Sequence, residues 1–218
     1  MNRRLESHLF WGQQSPLSAL SGTALIILAS SRFAFAVICT GTLIWVFGLS
    51  TLVFSGARKI MPAKGRKIIL LFISTFLCGL FMLLISFLNP LLIIGSAFFL
   101  ILVPPCCLST GFFEAAESVD AIDAFSRALL EAVTLAGIII AVALIREPLG
   151  MGTISLPVGA QGVTELFDST ETNTLIPIRL FSVSAGGLLL LGYCMALYRY
   201  FKEQYGSASI NDDTQEEN

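Results

Sequence analysis

Residues 89–107 read NPLLIIGSAFFLILVPPCC, and the fold turns on this stretch. From Pro90 to Val103 it carries no charge, and Pro104-Pro105 close it. At about 1.5 Å per residue a helix of that length reaches roughly 21 Å, short of a hydrocarbon core of about 30 Å. A second stretch, SPLSALSGTALIILASS at residues 15–31, opens in the same way. Ser15-Pro16-Leu17 matches Asn89-Pro90-Leu91, and Gly22 and Gly95 stand at similar offsets. The segment Pro16–Ser31 is also too short to span.

Each short segment is followed by two long ones. Phe33–Ser55 and Ile68–Leu88 follow the first, and Ala128–Ile145 and Ile178–Tyr200 follow the second. These four are long enough to cross a bilayer, allowing for tilt. The chain therefore reads as three segments repeated twice. An odd number of crossings per copy makes the second copy inverted. The expected fold is all-α and membrane-integral, with six segments in an inverted 3+3 repeat and half-helices at segments 1 and 4. One polytopic domain is expected over residues 1–206, with halves of about 15–88 and 89–201. The polar stretch 207–218 reads as a disordered tail.

Composition agrees. Of 218 residues, 55% are hydrophobic and 13% charged, with a net charge of −2. A soluble domain carries about 25% charge. Together with a mean hydropathy of +0.82, this argues against a soluble single-core enzyme, a coiled coil or a disordered chain. No basic stripe interleaved with aromatics points to nucleic acid. Arg58, Lys59, Lys64, Arg66 and Lys67 crowd the loop Gly56–Lys67, which places that loop and both termini on the cytoplasmic side. The first apolar run lacks a small-residue cleavage site and reads as a membrane segment rather than a removable signal.

Three places could carry chemistry. Cys106-Cys107 beside the Pro104-Pro105 break could ligate a soft metal or an iron–sulfur cluster, or could be small residues at a helix end. Cys39, Cys78 and Cys194 read as small buried hydrophobes. The acids Glu114, Glu117, Asp120 and Asp123 read as a solvated loop and helix start, with Asp123 and Arg127 one turn apart. Glu131 lies deeper in the fifth segment, where an ionisable group is a functional candidate. The third place is Arg146-Glu147-Pro148-Leu149-Gly150-Met151-Gly152-Thr153. Here Pro148 is expected to stop the helix, and Arg146 and Glu147 could pair at the interface. The lone His8 lies in a polar arm and reads as a surface residue. No phosphate-binding glycine loop, H-E-x-x-H or C-x-x-C is present.

At this third place the sequence resembles a family of small paired membrane subunits. Asp123-x-Phe125-Ser126, an apolar helix, then Arg146-Glu147-x-x-Gly150-x-Gly152-Thr153 is similar to the RnfE/NqrD type of the Rnf complex and the sodium-translocating NADH:quinone reductase. The likeness extends weakly over the rest of the chain. The resemblance implies a bacterial inner-membrane subunit packed antiparallel against an RnfA/NqrE-like paralogue. It implies partners that carry flavin and iron–sulfur groups, and a [2Fe–2S] cluster held by one cysteine from each short helix of each subunit. Carried over, the second cysteine falls on Cys106 or Cys107. The first falls near Thr23 or Ala24, and this chain has no cysteine there.

The expected function is membrane electron transport coupled to Na⁺ or H⁺ movement, in a complex and not by the chain alone. Alternatives are a small secondary transporter with alternating access, or a scaffold subunit that has lost the redox site.

Overall fold

The computed structural model describes residues 16–57, 65–109, 121–157, 163–168, 180–197 and 200. These are mostly helical. In chain order they form α1 (Pro16–Ala29), α2 (Phe33–Ala57), α3 (Arg66–Leu88), α4 (Pro90–Leu100), α5 (Val103–Ser109) and α6 (Ala121–Met151). A hairpin of β1 (Thr153–Leu156) and β2 (Thr164–Asp168) follows, and then α7 (Ser184–Leu197). The tail 207–218, His8, most of the basic loop (Arg58, Lys59 and Lys64) and the acids Glu114, Glu117 and Asp120 lie outside the described residues.

Among the described residues, three helices are long and apolar enough to cross a membrane: α2, α3 and Ile122–Met151 of α6. At 1.5 Å per residue they reach about 35–45 Å. They correspond to the second, third and fifth segments of the sequence. The sixth segment is described as a helix only over Ser184–Leu197, too short on its own to cross.

The core forms where α2 packs on α6. The two run antiparallel, because Phe33 meets Glu147 at one end and Gly48 faces the Phe125 ring at the other. On α6 the buried positions include Ala124, Ala128, Ala132 and Ala136, a ridge at helical spacing of four. Small side chains there let the two backbones approach, which is how apolar helices gain packing without a hydrophobic drive from lipid. Buried positions on α2 include Leu43, Val46 and Phe47. The buried hydroxyls of α2 are satisfied within the helix: Thr42 donates to Ile38 O at 2.8 Å and Thr51 to Phe47 O at 2.6 Å. This is the arrangement that a dry environment demands.

The outward side of α3 and α4 is the opposite in character. Phe87 is 91% exposed and Ile94 79%, with Phe72, Phe76, Leu83 and Phe98 also uncovered. A continuous bulky apolar face of this kind suits lipid contact rather than water.

Two helix boundaries differ from expectation. Pro104-Pro105 do not end the helical run but open α5, so Cys106 and Cys107 sit on a helix. Proline is tolerated in a first turn because those N–H groups have no helical partner there. Only the turn at Ile101-Leu102 separates α4 from α5. Likewise Pro148 does not stop α6, which runs on to Met151 with Pro148 inside it. The stop comes at Gly152, whose φ of 72° is left-handed and breaks the helical path.

Candidate functional site

The last turn of α6 is a buried junction that ties several chain segments together. Arg146 and Glu147 are 2% and 1% exposed. They do not pair with each other as an interfacial anchor; each is committed to other partners.

Arg146 uses all five of its donors. Nε donates to Phe181 O at 2.8 Å. Nη1 donates to Ile27 O at 2.6 Å and to Ser30 Oγ at 3.1 Å. Nη2 donates to Ser182 O and Val183 O, both at 3.1 Å. The guanidinium therefore covers a carbonyl in the last turn of α1 and three more at the approach to α7. Its positive charge also suits the C-terminal end of the α1 dipole.

Glu147 does the converse. Its Oε2 accepts from Phe33 N at 2.6 Å, and its Oε1 from Ser155 N at 2.9 Å. Ser155 Oγ in turn accepts from Ala34 N at 3.4 Å. The next two N–H groups of α2, of Phe35 and Ala36, donate to Arg32 O. The orphan donors of Phe33, Ala34 and Phe35 thus have partners before the Ala36–Arg32 bond begins the regular ladder, and a negative charge sits at the positive end of its dipole. One dipeptide on α6 clamps both ends of the α1–α2 turn.

The rest of the motif serves the same junction. A Cβ at Gly150 would lie 2.8 Å from Ser182 N, so only glycine admits the chain running into α7. Gly152 donates to Pro148 O at 3.0 Å while turning left-handed. Thr153 then begins β1 and pairs with Asp168 across the hairpin. Asp123, at the far end of α6, is exposed in the first turn, where its own carbonyl accepts from Ser126 Oγ at 2.9 Å.

The cysteines gather elsewhere. Cys39, Cys78, Cys106 and Cys107 all belong to one hydrophobic core. Cys107 Sγ lies 3.9 Å from Ser50 Oγ on α2, and Cys78 Sγ donates to Leu100 O at 3.3 Å. An iron–sulfur cluster of the [2Fe–2S] type takes four protein ligands. Cys106 and Cys107 have no exposed surface in this chain, so neither thiol faces outward to a paired subunit. Among the described residues, no three His, Cys, Asp or Glu stand together as a donor set. As placed, these residues do not fit a cluster shared between two chains.

The sequence pointed to Arg146, Glu147, Gly150, Gly152 and Thr153, and the structure brings them to one joint. It missed Ser30, Phe33, Ser155 and the carbonyls of residues 181–183, which complete that joint. The only signal for them was the general need of a helix end for partners, which does not say who supplies them.

No protein-family model matches the chain, and no curated protein matches it.

Proposed function

We propose that the chain is a membrane subunit of an ion-translocating electron-transport complex of the Rnf/Nqr kind. In this reading it packs against a paralogous small membrane subunit and works only with flavin- and iron–sulfur-carrying partners. The six segments form two inverted halves, with α1 and the α4–α5 pair as the matching short elements. Electron flow through the complex is coupled to movement of Na⁺ or H⁺.

The observation that carries the reading is the junction built by Arg146 and Glu147. The motif residues from Arg146 to Thr153 form one buried joint that fixes the end of a short helix to the start of a long one, while Asp123, Phe125 and Ser126 stand at the other end of α6. The packing of α1 against α5 supports the same reading, since it brings the two short elements side by side. Broken helices meeting inside a membrane protein are where such folds place their working site.

The test is affinity purification of the tagged full chain from its own membranes in mild detergent. Co-purification of a paralogous membrane subunit with flavoprotein and iron–sulfur subunits is the expected result. A chain that purifies alone, or only with copies of itself, overturns the proposal.

One observation favours a second reading within the same complex, that of a scaffold subunit without a cluster. Cys106 and Cys107 are sealed in the chain's own core and make no donor set with other described residues. Iron analysis and EPR of the intact complex, comparing Cys106→Ser and Cys107→Ser with the parent, separate the two. Loss of a cluster signal in either variant rejects the scaffold reading.

A further inference from the structure

Glu131 stands apart from every arrangement described so far. It lies on α6 within the membrane-crossing stretch Ile122–Met151, one turn beyond the exposed Arg127. If Arg127 and Arg146 mark the two polar edges of that stretch, Glu131 sits about 6 Å inside the first of them. Its Oε2 is buried and has no hydrogen-bond partner.

Among the described residues, nothing near it carries a charge that would neutralise it. Helices α1 and α2 and strand β1 pack against α6. Of their residues only Cys39 is titratable, and none is charged. The nearby α5 adds only Cys106 and Cys107. On α6 itself, Asp123 is exposed, Arg127 leaves Oε2 unsatisfied, and Arg146 and Glu147 are committed at the other end. A bare carboxylate in a low-dielectric site costs several kcal/mol or more, so the group either neutralises or acquires a counter-ion.

We infer that Glu131 is a carrier site for a proton, held by the side-chain carboxyl and exchanged with the aqueous side nearest Arg127. With a proton the step is simple: the carboxylate takes H⁺ from water at that edge to become the neutral acid and gives it back on the same path. The inference deepens the proposed function, since such a site is where a coupling ion could be bound, and it rests on that reading only for its purpose.

The test uses dicyclohexylcarbodiimide on the full chain in native membranes, read by mass spectrometry. This apolar reagent adds to carboxylic acids. The acid proton passes to a reagent nitrogen, the carboxyl oxygen bonds the central carbon, and the adduct rearranges to a stable N-acylurea. The expected result at about pH 7, where a water-exposed glutamate is fully ionised, is an adduct on Glu131 and none on Asp123 or Glu147. Glu131→Gln abolishes the adduct. Glu147, with both oxygens already accepting hydrogen bonds, reports that the fold is intact. Replacing choline by excess Na⁺ should leave the adduct unchanged; suppression would show that the site takes Na⁺ and overturns its assignment to a proton. An unlabelled Glu131 in both salts overturns the inference. Labelling without co-purifying partners sinks the electron-transport reading and leaves the proton site standing; partners without labelling do the reverse.

Discussion

The Cys78 thiol donates to the Leu100 carbonyl at 3.3 Å, and Leu100 is the residue four before Pro104. In an unbroken helix the N–H at position 104 would bond that carbonyl; proline has none. A thiol from α3 thus stands in for a missing backbone donor at the α4–α5 break. In an apolar interior such substitution matters, because an unsatisfied carbonyl has no water to turn to.

Removing the thiol should therefore cost stability. Cys78→Ala is expected to lose about 1–3 kcal/mol, the cost of stranding a buried acceptor. Cys78→Ser, which keeps a donor, should lose less. In a Pro104→Ala background, where the backbone N–H returns, the cost of Cys78→Ala should shrink. Thermal unfolding of the four purified variants in detergent gives the double-mutant cycle, and strict additivity would show that the two residues do not share the carbonyl.

Arg146 should not be replaceable by lysine. Its fork meets five acceptors on two segments of chain, whereas an ammonium has three donors on a single nitrogen. At least two acceptors are then left bare in a buried site, and Arg146→Lys should lose about 2–4 kcal/mol. Arg146→Ala should lose more and expose the α1–α2 turn. Limited proteolysis of membranes together with a melting curve checks both. A lysine variant as stable as the parent would mean that the guanidinium geometry is not what holds the joint.

How much of this was legible in the sequence follows from the kind of signal involved. Apolar runs without charge, such as Phe33–Ser55, read directly as α2 because length and polarity alone decide whether a segment suits a membrane. The motif at Arg146 was visible because charged residues at the end of an apolar run are rare. Its partners were not visible. Backbone carbonyls at residues 181–183 and N–H groups at Phe33 and Ser155 leave no trace in residue identity. Pro148 and Pro104 misled for a related reason. Proline forbids one hydrogen bond, and whether the helix ends depends on what else covers the freed carbonyl, which only tertiary packing determines. That Cys39 and Cys78 share a hydrophobic core with Cys106-Cys107 was not legible, because it arises from α2, α3 and α5 converging and not from spacing along the chain.

Gly152 should tolerate few side chains. Its φ of 72° costs an L-residue with a Cβ about 1–2 kcal/mol. Gly152→Ala should therefore destabilise by that amount, and Gly152→Asn by less, since asparagine accepts the left-handed region more readily. The order glycine, asparagine, alanine in melting temperature is the expected readout. An alanine variant equal to the parent would mean that α6 ends by some other path.

Glu147 provides the sharpest test of the junction, because both of its oxygens accept from backbone donors: Phe33 N at 2.6 Å and Ser155 N at 2.9 Å. Glutamine has nearly the same shape but only one acceptor oxygen, and its amide NH₂ would point at an N–H donor. Glu147→Gln should thus lose about 2–4 kcal/mol despite being isosteric, through one unsatisfied donor and one donor–donor approach. The negative charge at the start of α2 is lost as well. Ser155→Ala removes only the weaker bond to Ala34 N, at 3.4 Å, and should cost less. Since Glu147 and Ser155 are themselves bonded, the double variant should fall short of the sum. Hydrogen exchange at the Phe33 and Ala34 amides reads the same event locally: both should be slow in the parent, and Phe33 should become fast in Glu147→Gln. Unchanged protection at Phe33 would show that the α6 carboxylate does not cap α2.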